Sequence, residues 1–264
     1  MIKPISAEKF CIIKSMTNKP SITIFMAIYN EAEHIRAAYQ NAAKAVREAG
    51  IDDYEIILST VTNPDGSHDG APEIAAEIAK NDKNVKHLAI QGLPGFGIQY
   101  QETLKIAAKD YIMMLPGDND NIYDSIVHVL RHVGKAPLVV VYTQNPEARP
   151  FRLRFASKSF VALCNLLFGL KLKYYNGTSI LPVKWAKMVP FSAKNPAYAA
   201  EMLIHLIKSG APYIEIPQII RYTPYAGKTF RMKSVFQALG TLASIFWQIH
   251  FKRVRLILPP IRHQ

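Results

Sequence analysis

The chain of 264 residues has only two cysteines, Cys11 and Cys164, far apart in sequence. That scarcity excludes a disulfide-stapled scaffold and points to a reducing compartment. There is no run of about 20 consecutive apolar residues, so no segment reads as a confident membrane span. The nearest approach is Ser234–Phe251. Met1–Pro20 carries scattered lysines and no apolar centre, so a secretory signal is not expected there. Acid is nearly missing from the second half: residues 148–264 hold only Glu201 and Glu215 against 18 Lys and Arg, a net of +16. Residues 1–147 hold 14 basic and 18 acidic side chains, a net of −4. The overall +12 therefore describes a basic half joined to a mildly acidic one, a pattern that suggests a polyanionic partner. Nucleic acid is the weakest candidate, since no recognition module or interleaved aromatic platform accompanies the charge.

What is present is ordinary globular material, 49% apolar and 20% charged. The first half alternates short apolar runs with helical periodicity. Ser21–Ile28, Tyr54–Thr60, Val85–Ile90, Tyr111–Leu115 and Leu138–Tyr142 read as strands. Between them, Ile35, Ala38, Ala42, Val46 and Ala49 recur at helical spacing, with Asn30 as a candidate cap and Gly50 as the stop. Pro72–Lys80, about Ile98–Ala108, and Ile122–Val133 read as further helices. This alternation predicts βαβ units and an α/β fold with a mostly parallel central sheet and flanking helices. Later, Ser157–Leu170 and Ala197–Ser209 read as helices and Tyr213–Pro217 as a strand.

Ligands of open α/β sheets bind beyond the carboxyl ends of strands. Three such ends carry polar clusters: Tyr29-Asn30-Glu31, the stretch Pro64-Asp65-Gly66-Ser67-His68-Asp69-Gly70-Ala71, and Pro116-Gly117-Asp118-Asn119-Asp120-Asn121. Each alone reads as a solvated turn, and Asp120 or Asn121 could simply cap the helix from Ile122. Their order is more specific. With Gly95-Phe96-Gly97, Arg154 and Ser157, Glu201, Glu215-Ile216-Pro217, Arg221 and Gly227-Lys228-Thr229, the chain resembles glycosyltransferase family 2 over roughly residues 21–235. Within it, the dolichol-phosphate-mannose-synthase-like, or polyprenyl-phosphate glycosyltransferase, branch is the most similar. The resemblance implies the GT-A nucleotide-diphospho-sugar transferase fold in residues 21–230, an N-terminal extension before it (1–20), and a basic amphipathic membrane-associating segment after it (231–264). Two prolines depart from the family pattern, Pro64 and Pro116, each where an aspartate is usual. They motivate a competing expectation, a non-catalytic membrane-surface scaffold.

The resemblance also implies roles. Asp118 and Asp120 would hold Mg²⁺ or Mn²⁺ against the diphosphate of a UDP- or GDP-sugar, since hard cations take a few carboxylate oxygens and complete their shell with phosphate and water. Counted along the strand from Tyr111, Asp118 falls on the second family carboxylate. Ala27, Tyr29, Asn30, Glu31, Asp65, Gly95, Gly97 and Asp118 would bind the nucleotide-sugar, and Arg152, Arg154, Arg221 and Lys228 the phosphate or acceptor. An acceptor hydroxyl would need a base, for which Glu201 is the candidate, whereas an acceptor phosphate is already anionic. The near absence of acid in this half favours polyprenyl phosphate over a glycan acceptor. In Ser234–Phe251, Val235, Phe236, Leu239, Leu242, Ala243, Phe246 and Trp247 fall on one helical stripe, opposite Gln237, Thr241, Ser244 and Gln248. Arg231 and Lys233 before it, and Lys252, Arg253 and Arg255 after it, suit an anionic membrane surface. The expectation is an inverting enzyme, peripheral on the cytoplasmic face of a membrane. A homo-oligomer is compatible with the same stripe.

Overall fold

The structure is a computed structural model that describes residues 19–92, 95–221 and 232–261. The expected extension at Met1–Pro20 falls almost wholly outside these residues, as do Gly227, Lys228, Thr229 and Arg231.

Seven strands form one sheet in the order β3-β2-β1-β4-β6-β5-β7. They are β1 (Ile22–Ile28), β2 (Tyr54–Val61), β3 (Val85–Ile90), β4 (Tyr111–Pro116), β5 (Leu138–Thr143), β6 (Ile180–Pro182) and β7 (Tyr213–Gln218). All seven residues of β1 and all eight of β2 are buried, as expected where helices cover both faces of a parallel sheet. The β1 strand pairs in parallel with β2 and β4, and β5 with β7. Only β6 runs against its neighbours, antiparallel to both β4 and β5. That single reversal keeps β5 and β7 in the direction of β4, so six strands end on one edge of the sheet. The mostly parallel GT-A-type α/β architecture is as the sequence led one to expect. The short β6, three residues with no readable alternation, was not.

The helices are α1 (Ile35–Glu48), α2 (Ala71–Asn81), α3 (Phe96–Ile106), α4 (Tyr123–Leu130), α5 (Phe151–Phe168), α6 (Val183–Ala186), α7 (Tyr198–Lys208) and α8 (Met232–Phe246). Side chains alternate across β1. Ile24, Met26 and Ile28 meet buried residues of α1, α2 and α4, while Phe25 and Ala27 share the opposite core with α3, α5 and α7. Helix α5 begins six residues before the expected Ser157, because Phe151–Ala156 interleaves arginines with apolar residues and hides its periodicity.

The C-terminal stripe divides. Leu242, Ile245 and Ile249 are buried at 3% exposure or less and join the core shared with α5 and α7. Phe236, Leu239 and Trp247, expected on the same face as Leu242, face solvent. The packed face is centred on Ile245, which the sequence pattern leaves out of the stripe. A π-helical turn over Trp247–Phe251 follows α8. The chain beyond returns to the domain: Leu256 N donates to Ser209 Oγ (2.9 Å) and Trp185 Nε1 to the Pro259 carbonyl (2.8 Å).

Candidate functional site

The carboxyl ends of β1, β2 and β4 meet in three loops that are tied to one another. Tyr29, 41% exposed, follows β1, and its hydroxyl donates to Asn63 Oδ1 after β2 (2.8 Å). Asp69 bridges the same two loops, accepting from Ala32 N (2.7 Å) and from Ala71 N at the start of α2 (3.0 Å). Asp65 is exposed and folds its own turn, accepting from Ser67 N (2.9 Å) and Ser67 Oγ (2.7 Å), two donors that lower its pKa. Asn30 does not cap α1. It takes a left-handed conformation (φ 53°) that turns the chain off β1, and the helix starts instead from the Glu31 carbonyl, which accepts from His34 N and Ile35 N. Ala27 is buried within β1, so its side chain lies in the core and reaches no ligand; its carbonyl accepts from Gly117 N (3.0 Å).

The acidic turn after β4 is held from outside. Gly117 passes so close to β1 that a Cβ there would lie 2.9 Å from Ile28 Cγ1. Asp118 Oδ1 accepts from Asp120 N (3.0 Å). Asn119 is left-handed (φ 58°) and is fixed by Asn41 of α1, whose Nδ2 donates to Asn119 Oδ1 (2.9 Å). Asn121 accepts from Gln218 Nε2 (2.7 Å), and the Gln218 oxygen accepts from Thr178 Oγ1 (2.6 Å). No side chain of the turn caps α4, whose N-cap is Ile122, so the capping reading of Asp118–Asn121 does not hold. Asn41, Thr178 and Gln218 are the residues that the sequence did not reveal. Nothing in their local pattern marks them, because each acts across 40 or more residues.

The carboxylates crowd one another. Burial raises the Asp118 pKa against the opposing hydrogen bond from Asp120 N, and the charge of Asp120 adds to the rise. Glu31 rises to about 7 through burial first and then the field of Asp118, with His34 opposing and Asp120 and Asp69 adding. Among the described residues, no three His, Cys, Asp or Glu side chains come close enough to chelate an ion by themselves. Asp118 and Asp120 nonetheless fit a hard divalent cation of the Mg²⁺ or Mn²⁺ type, which commonly takes one or two carboxylates and completes its shell with substrate phosphates. The raised Glu31 carries a prediction. A carboxyl group with a raised folded pKa favours the fold below its unfolded value near 4.5, and that advantage is lost as pH rises through about 7. The melting temperature of Glu31→Gln relative to wild type should therefore climb between pH 5 and 8 in metal-free buffer. A pH-independent difference in thermal scans would contradict this crowding.

The Gly95–Gly97 loop borders the same edge. A Cβ on Gly97 would lie 1.8 Å from the Ala193 carbonyl oxygen, and one on Gly95 2.1 Å from that of Lys194. Both glycines are thus required by the 193–194 backbone, whatever they contribute to a ligand. That backbone is anchored by Glu201, which is fully buried on α7. Its carboxylate accepts from Ser192 N (3.0 Å), Ser192 Oγ and Ala193 N (2.8 Å). Glu201 has no oxygen turned to solvent, and both of its oxygens are taken up by these donors, which runs against a role as general base.

A second feature lies beyond the carboxyl end of β5. A cavity of about 350 Å³ is lined by Thr143, Arg149, Arg154, Ser157, Lys158 and Lys173, among others. Arg154 Nε is buried there without an acceptor, and Arg149 is steered by Tyr174, donating to its hydroxyl (2.8 Å). Arg152 is exposed and does not line the cavity; Arg221 is exposed just after β7. Lys228 lies outside the described residues.

Residues 23–194 match the family model described as Glycosyl transferase family 2. The Bacillus subtilis (strain 168) protein EpsH, named as a candidate glycosyltransferase, is 29% identical over 124 residues, 46% of this chain. That match spans about a third of the relative's length (33%). Among solved structures, glucosyl-3-phosphoglycerate synthase from Mycobacterium tuberculosis, in complex with Mn²⁺, UDP and phosphoglyceric acid, superposes with a TM-score of 0.61. It is 15% identical, over 93% of this chain and 84% of that one. A mannosyltransferase from Pyrobaculum calidifontis, in complex with GDP-Man and Mn²⁺, superposes with a TM-score of 0.56 at 14% identity, over 90% and 70%. These likenesses establish the fold.

Proposed function

The chain belongs to glycosyl transferase family 2, and from that premise we propose that it transfers a sugar, with inversion, from a UDP- or GDP-sugar to a polyprenyl phosphate at a membrane surface. This is the chemistry of the dolichol-phosphate-mannose-synthase-like branch. The observation that carries the reading is the externally braced Asp118–Asp120 turn at the edge where β1, β2 and β4 end. Asp118 and Asp120 would hold a divalent ion there, which would supply Lewis acidity to the departing diphosphate. The chain's own residues do the rest. Asp118 and Asp120 present the carboxylates, the Tyr29–Asn63 pair and Asp65 border the nucleotide side, and Asn41 and Gln218 keep the turn in place.

The cationic cavity beyond β5 supports a phosphate acceptor, since Arg149, Arg154, Lys158 and Lys173 face it with no carboxylate among its lining residues. An acceptor phosphate is its own nucleophile. The competing glycan-hydroxyl reading needs Glu201 as base, and the burial of Glu201 weighs against it. The scaffold reading draws on Pro64 and Pro116. Pro116, however, closes β4 beside Ala27 without disturbing the turn that follows.

Thermal shift with UDP- and GDP-sugars plus Mn²⁺ or Mg²⁺, followed by product analysis with a polyprenyl phosphate or a glycan, tests the reading. A donor-dependent shift and a sugar-phospholipid product are expected. Absence of both across the panel refutes it. Arg154→Ala should raise the acceptor KM about 10- to 100-fold, the scale of one charge-assisted hydrogen bond, with the donor shift unchanged. An unaltered acceptor KM would remove the cavity from the acceptor path.

A further inference from the structure

Helix α8 and the turn after it are apolar over an arc wider than the face that packs on the domain. One face, Leu242, Ile245 and Ile249, is packed on the domain. On a wheel of 100° per residue, Phe236, Leu239, Ala243 and Trp247 fall on the far side, and they are exposed: Phe236 68%, Leu239 44%, Trp247 54%. The π-helical turn extends this outer stripe to Phe251, 62% exposed and stacked on Trp247 with ring centroids 4.5 Å apart. A surface helix of a soluble domain needs one apolar face. The part of the arc left outside, which carries Phe236, Trp247 and Phe251, calls for a partner.

We propose that this outer stripe is a docking face for an anionic lipid bilayer, with the stacked Trp247–Phe251 pair seated at the level of the headgroups. The proposal deepens the lipid-phosphate acceptor reading and rests on it. The charge around the stripe selects the occupant. Lys252, Arg253 and Arg255 follow Phe251 directly and are all exposed. No acid occurs after Glu215. An apolar helix face ending in tryptophan and flanked by exposed cations matches an interfacial helix on negatively charged lipid. A second copy of the chain fits less well, because contact through this face would bring together two halves that each carry a net charge of +16.

The emission of the full chain reports on the stripe, because the two tryptophans differ: Trp185 is buried and Trp247 is exposed. With vesicles of phosphatidylcholine containing about one-third phosphatidylglycerol, a blue shift and co-sedimentation at least about tenfold above pure phosphatidylcholine vesicles are expected, both weakened by high salt. Trp247→Phe should abolish the blue shift and keep the binding. Trp247→Ser with Phe251→Ser should lower vesicle binding about tenfold while the melting shift with nucleotide-sugar and Mn²⁺ stays as in wild type. The proposal fails if anionic vesicles are not preferred, if the double variant binds them as well as wild type, or if sedimentation shows a dimer that the double variant dissolves. Loss of the nucleotide shift in the wild type, with vesicle binding intact, would overturn the transferase reading and leave the docking face standing.

Discussion

Asp118→Asn is expected to lower kcat/KM for sugar transfer about 10²- to 10³-fold, the usual cost of removing one preorganised electrostatic contact to a developing anion. Asparagine keeps the oxygen that accepts from Asp120 N, so the turn retains its shape. What is lost is one of the two carboxylates proposed to share a divalent ion with the donor diphosphate. The change should not weaken the fold. Burial raises the Asp118 pKa and outweighs the Asp120 N–H that stabilises the carboxylate, so the folded chain disfavours the charge at this position. The metal-free variant should therefore melt at or slightly above the wild-type temperature at pH 7, while the melting shift on adding nucleotide-sugar with Mn²⁺ disappears. This combination separates an electrostatic role from a structural one. Unchanged kcat/KM, or a large fall in melting temperature with kcat/KM scaling to it, would take Asp118 out of the reacting site.

The legibility of this site in the sequence follows the range of its interactions. The strands could be read because burial on both faces makes β1 and β2 continuous apolar runs. The acidic turn, the Asp65 turn and the Gly95–Gly97 loop could be found because each is a short local pattern at a strand end. The partners that fix the acidic turn could not. Asn41 lies on the polar side of α1, and Gln218 is the last residue of β7; only the fold brings either to Asn119 or Asn121. The β6 strand was hidden by being too short to show a period. In α8 the apolar residues were visible, but a stripe read from sequence assumes one buried face. The apolar arc is wider than one face, and only packing against α5 and α7 reveals which part the domain uses. Glu201 shows the same limit in chemical form. An acid standing nearly alone in a basic half suggests a catalytic base, yet its three donors come from a loop eight or nine residues away whose approach no pattern announces.

The largest expected effect on stability belongs to that same residue. Glu201→Ala should destabilise the fold by about 3–5 kcal/mol, since it opens a buried void and takes the acceptor from the Ser192 and Ala193 N–H groups. Glu201→Gln keeps the volume and one oxygen but turns an amide NH₂ toward an N–H that needs an acceptor. Its cost should be smaller, about 1–3 kcal/mol. The loss should spread to the Gly95–Gly97 loop, because the backbone that Glu201 anchors is the one against which Gly97 closes, Gly97 N donating to the Lys194 carbonyl (3.2 Å). Gly97→Ala attacks the same contact from the other side, with a Cβ that would sit 1.8 Å from the Ala193 oxygen. If the two residues act on one contact, the double variant in urea unfolding should fall short of the sum of the single costs by more than about 0.5 kcal/mol. A general base would behave differently: Glu201→Gln would be as stable as wild type, would bind the nucleotide-sugar normally and would lose turnover alone. That outcome would restore the hydroxyl-acceptor reading. A Gln variant whose activity falls only in step with its stability would leave Glu201 as the anchor of the 192–193 backbone.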